Sequence, residues 1–133
     1  MLTFTILLNL VACAYVTGAF VLQMTVHFPF MDESYWEDNL KYTAYWFVVP
    51  LIVEISTAWS ALEQTWYPVA TILLVLGWVL NIPVWYYQTK LAGNESYGTG
   101  GATVDALIHL SRARGCVWIA RLTILMVWCS LNM

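Results

Sequence analysis

Residues 42–62 read YTAYWFVVPLIVEISTAWSAL, a run long and apolar enough to cross a bilayer that carries Pro50 and one carboxylate, Glu54, near its middle. About 20 such residues suffice for a helix to cross the ~30 Å hydrocarbon core of a bilayer. A charge at that depth costs roughly 2.5–3.5 kcal/mol on insertion scales, so the run predicts a buried partner for Glu54.

Three more apolar stretches flank it, at about 2–26, 67–87 and 105–131. With 61% hydrophobic and 10% charged residues, the 133-residue chain lacks the polar side chains that a soluble domain of this size needs for its surface. The predicted fold is an all-α membrane protein, a four-transmembrane-helix bundle forming a single domain. Eight Trp and eight Tyr suit belts at both bilayer interfaces and would equally line an apolar pocket. A net charge of −3 with no basic stretch argues against nucleic acid as a partner. Cys13, Cys116 and Cys129 form no C-x-x-C pair and read as buried small hydrophobes. Leu10-Val11-Ala12-Cys13 has lipobox character but no basic segment before it, so the first stretch reads as a retained span.

Four spans put both termini on one side and the linkers 27–41 and 88–104 on the other, here called side B. The first linker carries Asp32, Glu33, Glu37 and Asp38; the second, rich in glycine, reads as a flexible loop. Lys41, Lys90, Arg112 and Arg114 cluster toward side B, which predicts a cytoplasmic side B, external termini and an inner-membrane location. The sequon Asn94-Glu95-Ser96 points the other way, but a motif this short is common by chance.

The two histidines, His27 and His109, fall on the same side. Asp105, His109 and Arg112 share one helix face by their spacing, with Arg114 and Arg121 opposite. His27, His109 and Asp105 with the linker carboxylates would suit acid–base work, and the two imidazoles are the candidate ligands of a metal or haem. No H-x-x-x-H spacing requires either cofactor. The bland reading is interfacial histidines bonded to loop backbone.

Counted from side B, Glu54 lies about 12 residues into its span and Arg121 about 16, or fewer if the last span enters the membrane after Arg112; the depths overlap and so admit an ion pair inside the bundle. Pro83 frees the carbonyl of Val79 beside Asn81, and Pro50 that of Trp46; Asn9 and Gln23 add polarity on the first span. As structure alone, these residues are interhelical glue. As function, Glu54 is a catalytic acid or base, and Trp46, Trp59, Trp78, Trp118, Asn81 and Arg121 contact a substrate, the indole faces stabilising positive charge.

Gln23-x-x-x-His27-Phe28-Pro29, Pro50-x-x-x-Glu54 and His109 ahead of a Trp- and Arg-containing last span together resemble a group of small bacterial four-span membrane proteins. The charged first linker departs from that pattern. The resemblance implies the fold and adds weight to His27, Glu54 and His109; it implies no reaction.

The sequence therefore predicts a protein that binds, or isomerises or cyclises, a terpenoid- or sterol-like lipophile in a pocket between helices. The competing readings are a non-catalytic subunit of a larger membrane complex and a homo-oligomeric transporter or channel.

Overall fold

The computed structural model describes residues 4–27, 48–64, 67–92 and 101–132. They form α1 (Phe4–Leu22), which widens into a π-helical turn over Gln23–His27, then α2 (Val49–Gln64), α3 (Tyr67–Ala92) and α4 (Gly101–Leu131). All are helical, and Phe4–Thr25, Pro68–Tyr87 and Asp105–Leu131 are each long and apolar enough to cross a membrane.

The second expected span differs. Of residues 42–62, only those from Val48 onward are described, and the apolar part of α2, Val49–Trp59, is shorter than the others. Its polar end, Glu63-Gln64, still belongs to the helix. The freed carbonyl expected at Trp46 lies outside the described residues, as does most of the linker 27–41.

Both helices that flank the glycine-rich linker extend into the stretch 88–104 that the sequence reads as a loop. Helix α3 runs on through Gln88-Thr-Lys-Leu-Ala92, mostly good helix formers, and α4 already begins at Gly101. At 31 residues, α4 is about 46 Å long.

Helix α1 packs on α2 and α4, and α4 on α3. The α2–α3 hairpin closes where Ala58 and Leu62 meet Ala70 and Leu74, with Trp78 against them. A second apolar cluster joins Cys13, Val16 and Phe20 of α1 to Trp118 and Leu125 of α4. Gly77 makes this packing feasible: a Cβ there would run into the Trp118 ring.

The distribution of polarity is reversed relative to a water-soluble bundle. Asn9, Thr17, Gln23, Glu54, Ser111, Arg114 and Arg121 are buried, while Phe4, Val11, Ile52, Ile72, Ile82 and Leu131 project outward. Cys116 lies exposed on α4, against the expectation that all three thiols are buried; Cys13 and Cys129 are buried as expected.

Candidate functional site

The polar side chains of these apolar helices gather into two nodes, one about each buried arginine of α4. Seven residues separate Arg114 from Arg121, close to two full turns, so both fall on one face about 10 Å apart along the axis. Trp118 stands on the same face between them.

In the inner node Arg121 forms an ion pair with Glu54 through NH1 and Oε1. The residues are 2% and 0% exposed, so the pair is sealed from solvent on both sides. Trp118 Nε1 donates to the other Glu54 oxygen, Oε2, at 3.2 Å. Asn9 ties the two helices together: its Nδ2 donates to the Glu54 carbonyl and to Thr57 Oγ1, each at 2.9 Å, while its Oδ1 accepts from Arg121 NH2 at 3.2 Å. Arg121 NH1 also approaches Cys13 Sγ at 3.4 Å. Thr17 donates to the Cys13 carbonyl at 2.6 Å and lies 3.4 Å from the Trp118 carbonyl, which fixes α1 against α4 beside the pair.

A buried ion pair recovers the cost of its own desolvation only when further hydrogen bonds fill the remaining sites. Here both Glu54 oxygens have donors. Each Glu54 oxygen thus already accepts one bond from α4.

The outer node is organised differently. Arg114 is only 4% exposed, yet among the described residues no carboxylate reaches it. Its NH1 donates to Asn81 Oδ1 at 3.0 Å and its NH2 to Gln23 Oε1 at 2.7 Å. The guanidinium carbon lies 3.8 Å from the centroid of the Phe20 ring, a cation–π contact. Phe20 meets Trp118 edge-on, with centroids 5.0 Å apart, so the two nodes share an aromatic wall. Gln23 opens the π-helical turn of α1. Next to Arg114, Gly115 leaves space that the Met24 side chain fills.

Four buried side-chain atoms have no hydrogen-bond partner among the described residues: Thr71 Oγ1, Trp78 Nε1, Arg114 Nε and Arg121 Nε. All belong to α3 and α4. Thr71 and Trp78 are themselves seven residues apart, hence on one face of α3.

The residues singled out in the sequence are thus placed as follows. Glu54, Arg121 and Trp118 come together in the inner node, and Asn81 joins the outer one through Arg114. Trp78 packs half-buried against both apolar clusters. Trp59 points away from the interior at 66% exposed. Asp105 and His109 are exposed on the early turns of α4, about 24 and 18 Å along the axis from Arg121, so neither shares a site with Glu54. His27 ends the π-helical turn; Trp46, Asp32, Glu33, Glu37 and Asp38 lie outside the described residues. Among the described residues no three His, Cys, Asp or Glu side chains gather into a metal site.

Arg114 is the residue that sequence reasoning passed over as a site member. It counted as one of the flanking positive charges of side B, whereas the helix carries it 13 residues in from Gly101. The recurrence Arg114-x-x-x-Trp118-x-x-Arg121 on one face was the available signal, because charges within a span turn inward. No protein-family model, no curated protein and no solved structure matches this chain.

Proposed function

We propose that the chain is an integral membrane protein that binds a lipophilic small molecule among its helices. The observation that carries this reading is the set of four buried, unpartnered polar atoms on α3 and α4. In hydrocarbon each unsatisfied group costs several kcal/mol, and a purely structural network would close on itself, as the inner node nearly does. Three of the four atoms are donors only, so their complement is a molecule with hydrogen-bond acceptors. The outward-facing apolar side chains support insertion in the bilayer, with both termini external and side B cytoplasmic by the charge distribution.

Binding is better supported than conversion. For Glu54 to act as the acid or base of an isomerisation or cyclisation, a substrate would have to reach a fully buried carboxylate and compete with the Arg121 and Trp118 donors already on its oxygens. The transport reading is weaker, because Glu54 and Arg121 are paired with each other and enclosed within the chain. The subunit reading draws on the apolar exposed faces of α2 and α3, where Ile52, Trp59, Ile72 and Ile82 project.

Native mass spectrometry of the protein released from nanodiscs separates these. A lipophile retained in a fixed one-to-one ratio is the expected result. A chain that is empty and always accompanied by other polypeptides in fixed proportion would replace the binding reading with the subunit reading.

A further inference from the structure

We propose that Arg114 is the recognition group for the anionic end of an amphiphile, a carboxylate or phosphate carried on an acyl or isoprenoid chain. This rests on the lipophile-binding reading and specifies the ligand's polar end.

The argument starts from charge. The two nodes bury two guanidinium groups and one carboxylate, and Glu54 is committed to Arg121. Among the described residues Arg114 is left with neutral amide oxygens and an aromatic face. Amides and a ring orient a guanidinium but do not neutralise it, and an isolated cation taken from water into a low-dielectric interior is among the most costly groups to bury. Arginine does not escape that cost by losing its proton.

Geometry then says where the counter-charge belongs. Two of the five N–H donors of Arg114 are engaged and Phe20 covers one face, which leaves the Nε edge buried with no acceptor. A carboxylate or phosphate takes two parallel N–H bonds from such an edge, the arrangement for which the planar fork is suited.

Depth agrees. Gln23 lies two residues before the end of the first apolar span, and Asn81 six residues before the end of the third. Those separations are about 3 and 9 Å, and Arg114 itself lies about 14 Å inside the start of the Asp105–Leu131 span, so the node belongs to the side B half of the hydrocarbon, the half whose headgroups an amphiphile's polar end joins. The π-helical turn that begins at Gln23 is a local departure of the kind frequent at binding sites.

The test is ligand-induced thermal stabilisation of the whole protein in phosphatidylcholine nanodiscs. Oleate is compared with its neutral methyl ester, and phosphatidylglycerol with further phosphatidylcholine. The wild-type protein should be stabilised by at least one anionic probe and bind it roughly tenfold or more tightly than its neutral counterpart, the ratio expected for a charge-assisted hydrogen-bonded pair. Stabilisation by oleate alone identifies a free amphiphile as the ligand; stabilisation by phosphatidylglycerol alone identifies a membrane lipid. Arg114→Gln should erase the preference, and Arg114→Lys should retain part of it.

Equal binding of neutral and anionic probes would overturn the proposal and leave the lipophile reading standing, whereas no binding of any probe, with native spectra that are also empty, would remove both. The wild-type comparison decides the matter even if Arg114→Gln fails to fold. If neutralising Asp32, Glu33, Glu37 or Asp38 singly destabilises the ligand-free protein and Arg114→Gln abolishes that effect, the counterion belongs to the chain and the proposal falls.

Discussion

Arg114 and Arg121 occupy one face of one helix, both buried, and differ in what they meet. Arg121 has a carboxylate, an amide oxygen and a thiol around it; Arg114 has two amide oxygens and a phenyl ring. The first node is balanced in charge and drawn from three helices that it locks in register. The second is oriented but unbalanced. Burial alone does not say whether an ion is structural; the sum of charges in its shell does.

The sharpest way to break the contrast is Glu54→Gln. Removing one partner of a buried pair leaves an uncompensated charge and should cost about 3–5 kcal/mol. Reversible unfolding in mixed micelles measures it, and Glu54→Gln combined with Arg121→Met should recover most of the loss. A cost below about 1 kcal/mol for the single change would mean that the pair contributes little to the fold.

Gly77→Ala comes next. The new methyl would force the Trp118 ring away from α3 and loosen its bond to Glu54, at about 1–3 kcal/mol for overpacking. The same unfolding assay reads the cost. An unchanged midpoint would mean that Trp118 has room to repack.

Arg114→Met should move stability the other way. In ligand-free protein it removes a buried charge that lacks a counterion among the described residues, and stability should stay level or rise, by about 1 kcal/mol on the scale seen when buried ions are replaced by apolar groups. Destabilisation as large as that of Glu54→Gln would erase the distinction between the nodes.

His109→Ala is the smallest. An exposed residue remote from both nodes should shift stability by no more than about 0.5 kcal/mol, and lipophile binding should be unaltered. Loss of binding in this variant would restore the side B site that the sequence suggests.

The span-length runs at 2–26, 67–87 and 105–131 were legible because uninterrupted apolar length is a direct consequence of bilayer thickness. The pairing of Glu54 with Arg121 was legible too, since depth follows from counting residues along the helices. The outer node was not. Grouping Asp105, His109 and Arg112 by spacing was sound as a statement about faces, but periodicity does not tell which face turns inward, and the structure turns that one out. What decides it is the competition within α4: Ser111, Arg114, Trp118 and Arg121 have partners on α1, α2 and α3 or pack in the interior, and the opposite face has none to offer. Helix neighbours depend on tertiary packing, which no single segment encodes.

Among the described residues, every group that receives Arg114 or Arg121 precedes them in the chain: Asn9, Cys13, Phe20, Gln23, Glu54 and Asn81. During synthesis α4 therefore emerges only after its hosts have been made. The helix that carries both buried cations is thus the last of the four to be made, and neither guanidinium exists before the groups that receive it.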